Sequence, residues 1–211
     1  MQRNSALETA VAALYNPALP YHNFAHALEA VSAGEVILQR CREDGVNVDE
    51  QTVYYSLLFH DAGYHEEPAT YGFPTKEEYS ASLAAKMLPQ FGVDANTIEM
   101  VVAAIRATHR DATFSTNEQK VVRAADLAGL AADYEIFRRN SECLKEEWAY
   151  LHGRAISWEK WLEETRTIIG FFLSQDIRLT RYYLDTEGNS VFHRRTEENL
   201  RRLHEEKIGG P

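Results

Sequence analysis

The sequence is poor in cysteine and contains no long apolar run. Cys41 and Cys143 are the only cysteines among 211 residues, and their wide separation suits reduced thiols better than a disulfide framework. No window approaches the roughly 18 consecutive apolar residues that a membrane span needs. Residues 1–5 also lack the apolar core of a signal peptide. We therefore expect a cytoplasmic protein without a membrane segment.

Basic charge is scarce as well. The chain has 22 lysines and arginines against 32 aspartates and glutamates, which gives a formal net charge of -10. Binding along a phosphate backbone requires a net basic surface, so long nucleic acid is disfavoured as a partner. The acidic net charge does not exclude a small phosphorylated ligand, because a metal ion and a few local arginines can reverse the electrostatic field inside a pocket.

No stretch rich in proline, glycine or serine separates one part of the chain from another. At 211 residues and 45% hydrophobic composition, the chain can bury one sizeable core. The composition therefore predicts a single domain over residues 1–211.

Apolar residues recur at helical spacing through the chain, and no segment alternates in the manner of a useful strand. These patterns predict an all-α fold. Five N-caps are predicted from residue type and position: Ser5 (in a capping box with Glu8), Asp49, Thr75, Asp94 and Ser157. The predicted helices are 5–15, 24–45, 49–63, 75–88, 94–109, 117–129, 136–151, 157–172, 177–184 and 197–206.

Two imidazoles and two carboxylates stand out as candidate metal ligands. His26 falls in the first turn of the second helix, and His60 and Asp61 end the third. Asp126 lies among small and apolar neighbours in the sixth helix, where a carboxylate requires a cation or a donor. Such a mixed set of nitrogen and oxygen ligands suits divalent Mn, Fe, Co, Ni or Zn better than calcium.

A metal held in this way keeps open coordination positions. Water in an open position loses its proton near neutral pH, and the cation also polarises a phosphoryl oxygen and neutralises charge in the transition state. The residues therefore predict hydrolysis of a phosphate ester or anhydride, with a deprotonated, metal-held water as the nucleophile.

The order and spacing of these residues resemble the HD superfamily of metal-dependent phosphohydrolases. Residues 21–26 read YHNFAH and residues 59–61 read FHD, which is similar to the paired motifs of cyclic nucleotide phosphodiesterases. The chain is also similar in length to a group of small bacterial HD phosphohydrolases. The motifs span about residues 20–130, and the C-terminal helices would pack on this HD-type helical core.

The resemblance implies a role for each matching residue. His26, His60, Asp61 and Asp126 would bind the metal, and Asp61 would also take part in catalysis. His22 would protonate the leaving oxygen, a role that suits an imidazole just outside the metal ligands. Asn23 would orient His22 or cap the second helix. The substrate would be a nucleotide or a related small phosphorylated metabolite.

The chain is much shorter than a phosphodiesterase catalytic domain, and it departs from the phosphodiesterase pattern at two functional positions. The phosphodiesterases have a histidine three residues after the aspartate of the His-Asp pair, whereas His65 follows Asp61 by four. Their nucleotide-clamping glutamine has no identifiable counterpart, so specificity for cyclic nucleotides is not carried over.

His65 and His109 remain candidates for a second metal ion, and Arg110 and Arg123 remain candidates for phosphate contacts. A backbone hydrogen bond for His109, and salt bridges for the arginines, are the structural alternatives.

Two other functions are compatible with the same ligands. One is an HD-type di-iron oxygenase, in which His109 and a loop residue would help to bind the second iron. The other is a non-catalytic binding or regulatory module with a closed structural metal site. The aromatic residues of the last third (Trp158, Trp161, Phe171 and Phe172) are assigned to the core or to a homodimer face.

Overall fold

The computed structural model describes residues 1–181 and 184–206, and the regular secondary structure of this part of the chain is helical, apart from one isolated antiparallel bridge between Leu184 and Ser190. The all-α prediction is confirmed. The α-helices of the described ranges are α1 Ser5–Ala12, α2 Phe24–Glu43, α3 Glu50–Phe59, α4 Lys76–Met87, α5 Ala95–Arg106, α6 Asn117–Asp126, α7 Tyr134–His152, α8 Trp158–Leu173 and α9 Val191–Glu206. Short 3₁₀ turns occupy Pro68–Tyr71, Leu88–Phe91 and Leu127–Ala131.

The chain divides into two compact units. The first unit consists of Met1–Asp126 and Ile177–Thr180, and the second consists of Leu127–Asp176 with the described part of Arg181–Pro211. All nine candidate site residues fall in the first unit. The single domain over residues 1–211 stays a prediction. Among the described helices, none combines the length and the apolar character needed to cross a membrane.

Helix α3 is the centre of the first unit. It packs against α2, α4, α5 and α6, and Leu57, Leu58 and Phe59 in its last turn are completely buried. A helix that is apolar on every side is stable only where other helices surround it. Because α3 ends at Phe59, the following His60 and Asp61 emerge inside the helical unit.

Helices α2 and α3 approach each other closely at Gly34. A Cβ atom at position 34 would lie 2.5 Å from Cδ1 of Leu57 and 3.7 Å from Cγ1 of Val53. Only a residue without a side chain therefore leaves Leu57 in its observed position. This close crossing brings the helix that carries His26 against the helix that His60 directly follows.

Four of the five predicted N-caps are confirmed, because each side chain accepts a hydrogen bond from a backbone amide of the first turn: Asp49, Thr75, Asp94 and Ser157. The prediction of a capping box at Ser5 is wrong. Asn4 caps α1 by accepting a hydrogen bond from the amide of Leu7 at 3.1 Å. The Glu8 carboxylate instead accepts hydrogen bonds from Arg3.

Several predicted helix bounds are also wrong, and α1 and α3 end at Ala12 and Phe59 rather than near residues 15 and 63. Helix α5 ends at Arg106 rather than continuing to His109. Residues 177–180 are not helical, and positions 182–183 of the predicted helix 177–184 lie outside the described residues. The last helix begins at Val191 instead of residue 197. A periodic apolar pattern identifies the buried face of a helix but not the residue at which its backbone hydrogen bonds stop.

The second unit has its own apolar core, formed by Tyr134, Phe137, Leu162, Ile169 and Leu203. Trp158 is partly buried against this core. The indole of Trp161 donates a hydrogen bond to Ser141 Oγ at 2.9 Å, whereas Phe171 is 38% exposed. The aromatic run thus contributes partly to the core, and the homodimer face stays a prediction.

Candidate metal centre

Asn23 determines where α2 begins and therefore where His26 lies. Its Oδ1 accepts hydrogen bonds from the amides of Ala25 at 2.9 Å and His26 at 3.4 Å, and its Nδ2 donates to the carbonyl of Leu19 at 2.9 Å. The predicted capping role of Asn23 is confirmed. This cap places His26 in the first helical turn, where its side chain is buried.

The His60 ring is oriented by its own helix. His60 Nδ1 lies 2.8 Å from the carbonyl oxygen of Leu57. Because a carbonyl oxygen only accepts, Nδ1 carries the proton of this contact, and a neutral ring then has its lone pair on Nε2. Metal-binding histidines commonly have their second nitrogen fixed in this way.

The turn that carries Asp61 is held from several directions. Tyr15 donates its hydroxyl to the carbonyl of Leu58 at 3.0 Å. The Ser80 hydroxyl of α4 donates to the carbonyl of Ala62 at 2.8 Å, and the amide of Gly63 donates to the carbonyl of Leu14 at 2.9 Å. The α1 end and α4 therefore fix the backbone on both sides of Asp61.

Asp126 is the last residue of α6 and lies one turn after Arg123. The guanidinium of Arg123 is almost completely buried, and its Nη1 lies 3.4 Å from Asp126 Oδ2. Its Nη2 donates to the carbonyl of His109 at 2.9 Å. Arg123 therefore directs one oxygen of Asp126, while the other oxygen, Oδ1, faces the two histidines.

The four candidate ligands converge. His60 Nε2 lies 3.0 Å from Asp61 Oδ2 and 3.4 Å from Asp126 Oδ1. His26 Nε2 lies 3.5 and 3.7 Å from the same two oxygens. One ligand atom from each residue lies within 4.8 Å of every other. Residues that are far apart in the sequence thus present four donor atoms to one small volume.

This arrangement fits a metal ion. Ligand bonds of about 2.1 Å to a single ion place its donor atoms roughly 3 to 4.2 Å apart, and the four separations between nitrogen and oxygen, 3.0 to 3.7 Å, fall in that range. In the described part of the chain, His26 Nε2, His60 Nε2 and Asp61 Oδ2 are buried and have no hydrogen-bond partner. Buried polar atoms without partners are costly, and a bound cation would satisfy all three.

The electrostatics of the cluster point the same way. Burial opposes protonation of His60, but the carboxylates of Asp61 and Asp126 outweigh it and raise the pKa of His60 well above its ordinary value. Burial likewise disfavours the Asp61 carboxylate, yet the charge of His60 lowers the pKa of Asp61 to about 2. For Asp126, burial is outweighed by the nearby imidazoles of His26 and His60 and by the charge of Arg123, so its pKa falls well below its usual range. Both carboxylates are therefore ionised at neutral pH and available to a cation.

His22 lies beside this cluster without belonging to it. Its ring centroid is 5.7 Å from that of His26, with the rings edge to face. The His22 ring stacks on Tyr64, with the centroids 3.8 Å apart and the planes inclined by 17°. The imidazole is thus adjacent to the candidate ligands and fixed by an aromatic contact.

The other predicted site residues lie outside the group of four. His65 Nε2 lies 3.1 Å from Glu66 Oε1. His109 follows the end of α5, and its Nδ1 accepts a hydrogen bond from the amide of Asp111 at 3.3 Å. Arg110 is exposed and lies 3.1 Å from Asp111. A second metal site and phosphate contacts at these residues stay predictions.

The sequence motifs did not reveal the residues that support the site. Tyr15 and Ser80 hold the backbone around the His-Asp pair, and Tyr64 stacks on His22. Lys76, the first residue of α4, lies over the same Tyr64 ring. These contacts join separate segments of the chain, so no residue spacing indicates them. Tyr64 alone gave a signal, because it lies three residues after Asp61 in the sequence.

No protein-family model matches this sequence, and no curated protein matches it. Among solved structures, the fold is similar to that of the phosphodiesterase domain of the RhoPDE fusion protein from the choanoflagellate Salpingoeca rosetta. The TM-score is 0.60 at 16% sequence identity, and the match covers 92% of this chain and 77% of that chain. At this identity the similarity concerns the fold.

Proposed function

We propose that this protein is an HD-type phosphohydrolase that depends on one or two divalent transition metal ions. It hydrolyses a phosphate ester or anhydride of a nucleotide or a related small phosphorylated metabolite. The observation that carries this proposal is the convergence of two imidazole nitrogens and two carboxylate oxygens, three of them buried without a hydrogen-bond partner. The fold of a solved phosphodiesterase domain supports it, since that fold accommodates phosphoester cleavage.

Four residues would hold the ion: His26, His60, Asp61 and Asp126. When bound, a divalent ion supplies a Lewis acid that polarises a phosphoryl oxygen and makes coordinated water more acidic. Asp61 has a second carboxylate oxygen, which can orient the attacking water. Arg123 holds Asp126 in place from the opposite side.

His22 would donate the proton that the leaving oxygen needs. Its ring lies next to that of His26 rather than among the four donor atoms, so it can face a substrate instead of the metal. An imidazole titrates near neutral pH and can act as a general acid, which typically contributes about 10²- to 10⁴-fold to a rate.

The local charge suits an anionic substrate although the chain as a whole is acidic. The two carboxylates of the cluster balance one divalent cation, and the buried guanidinium of Arg123 adds a further positive charge. A phosphoryl group that approaches the site therefore meets a field that differs in sign from that of the surrounding surface.

The two alternative functions have less support. The oxygenase requires further ligands for a second iron, and the cluster in the described ranges includes neither His109 nor His65. An oxygenase of this kind would show an iron-dependent colour and would consume oxygen. The non-catalytic module requires a closed site, and it gives no role to His22 beside the cluster.

Removal and restoration of the metal test the proposal. The protein is treated with a chelator, each metal is restored in turn, and release of phosphate or nucleoside is followed with a panel of nucleotides and phosphoesters. We expect turnover only with metal, and its loss in His60→Ala and Asp61→Asn. His152→Ala is the matched control, because His152 is exposed in α7 and far in sequence from the cluster. Turnover that persists without metal, or in His60→Ala, would contradict the proposal.

A further inference from the structure

Tyr64 is enclosed between a histidine and a lysine. Its ring centroid lies 3.8 Å from that of His22 and 3.7 Å from Nζ of Lys76. Two groups this close to the same centroid cannot share one face of the ring. The imidazole therefore covers one face of Tyr64 and the ammonium group covers the other.

Lys76 holds Tyr64 through its backbone as well as through its ring. The ammonium group donates a hydrogen bond to the carbonyl oxygen of Tyr64 at 2.5 Å. The amide of Tyr64 in turn donates to the carbonyl of Asp61 at 3.1 Å. A cation over an aromatic ring is attracted by the ring quadrupole, so the same side chain fixes both the position and the inclination of Tyr64.

His22 lies outside the helices, so contacts of its ring help to hold it in place. It lies in the segment between α1 and α2, before the Asn23 cap. Its ring stacks on Tyr64 and also meets the edges of the Tyr21 ring at 4.9 Å and of the His26 ring at 5.7 Å. The nearly parallel stack with Tyr64, inclined by 17°, constrains the plane of the imidazole.

We propose that Lys76 and Tyr64 are positioning residues that keep the His22 imidazole in the orientation required for proton donation to the leaving oxygen. This inference rests on the proposed function. Lys76 acts through Tyr64, because the full thickness of the phenol ring separates its ammonium group from His22. An acid that is misplaced by about 1 Å can lose on the order of 10²-fold in rate, so a distant lysine can control the step.

Substrates with different leaving groups test whether Lys76 supports proton donation by His22. A nucleoside monophosphate releases an alkoxide that needs a proton, whereas a p-nitrophenyl ester releases a stable anion that does not. We expect Lys76→Met to lower kcat about 10- to 100-fold for the first substrate and less than about threefold for the second. Lys76→Arg should restore most of the loss. In a His22→Gln background, Lys76→Met should have no further effect.

NMR of the histidine side chains tests the positioning part independently of activity. Ring protons stacked on a tyrosine are shifted upfield, and Tyr64→Leu gives the position of the His22 signals without that ring. On the full chain, with and without Zn²⁺, we expect Lys76→Met to move these signals towards the Tyr64→Leu position. Tyr64→Phe keeps the aromatic ring and should leave the His22 signals unchanged. Lys86→Met is the matched control, because Lys86 is exposed in α4, the helix that carries Lys76, and it should also leave the His22 signals unchanged.

The results separate the two proposals. His22 signals that stay at their original position in Lys76→Met would overturn the positioning role, as would equal losses with both leaving groups. If the wild-type protein hydrolyses no phosphoester, the proposed function fails, and the NMR comparison still decides whether Lys76 orders His22. Lys76→Gln provides a second charge-removing variant if Lys76→Met does not fold.

Discussion

The imidazole of His60 and the backbone carbonyl of Leu57 lie 2.8 Å apart, within the last turn of the central helix and its cap. This contact occupies Nδ1, so that Nε2 faces the carboxylates of Asp61 and Asp126. The helix that forms the core of the first unit therefore also selects the ring nitrogen that is offered to a metal. Core packing and the chemistry of the site are consequently linked at His60.

Metal binding should release a proton. In the metal-free protein, the raised pKa of His60 keeps the imidazole protonated near neutral pH beside two ionised carboxylates. A cation needs the deprotonated nitrogen, so binding at pH 7 should expel about one proton per chain. Calorimetric titration with Zn²⁺ in two buffers of different ionisation enthalpy measures this number. Identical heats in the two buffers would contradict the shifted pKa of His60.

The stability of the metal-free protein should depend on pH through His60 and Asp61. His60 has a raised pKa in the folded state, so its contribution is fully present below its unfolded pKa of about 6.5 and is lost as the pH rises through the folded value. Asp61 has a lowered pKa, so its contribution is present above its ordinary value and is lost as the pH falls towards about 2. Their joint contribution is greatest between roughly pH 4 and 6.5.

Comparison with His60→Gln isolates this contribution. Denaturant unfolding in the presence of chelator should give a stability difference between wild type and variant that decreases from pH 6 to pH 9. A difference that grows over this interval would show that the folded protein holds His60 as a neutral ring.

Removal of Arg123 should weaken metal binding without removing a ligand. Arg123→Met leaves Asp126 without this guanidinium and removes the donor from the His109 carbonyl. Loss of such supporting partners commonly reduces metal affinity about 10- to 100-fold, and the unpaired buried groups should cost about 1–3 kcal/mol of stability. Arg106→Met is the matched control, because Arg106 is exposed and pairs with Glu78. Equal affinities for the two variants, measured by calorimetry, would contradict this role.

A methyl group at position 34 should disturb the crossing of α2 and α3. In Gly34→Ala, the new Cβ would lie 2.5 Å from Leu57 Cδ1, and overpacking of this kind costs about 1–3 kcal/mol. Gly170→Ala is the control, since nothing lies within 4 Å of a Cβ there; in helix α8 it should stabilise by up to about 1 kcal/mol. Thermal unfolding measures both. Leu57→Val should rescue Gly34→Ala, and failure of this rescue would place the strain elsewhere.

The sequence predicted the fold class and the four-residue cluster because both depend on patterns along one chain. Apolar spacing indicates helices, and His26, His60, Asp61 and Asp126 occur in a recognisable order. His109 shows the limit: its predicted place on the buried face of α5 assumed a helix that in fact ends at Arg106. The stack of His22, Tyr64 and Lys76 also lay beyond sequence reasoning, because it depends on how the start of α4 packs near the end of α3.

The most direct test of the central proposal is the metal content of the protein. Chelator-treated wild type and Asp126→Ala are dialysed against equal concentrations of Zn²⁺ and then analysed for bound metal per chain. We expect at least one tightly bound ion in the wild type and a loss of that ion in the variant, while His152→Ala behaves as wild type. Equal metal content in wild type and Asp126→Ala would contradict the account.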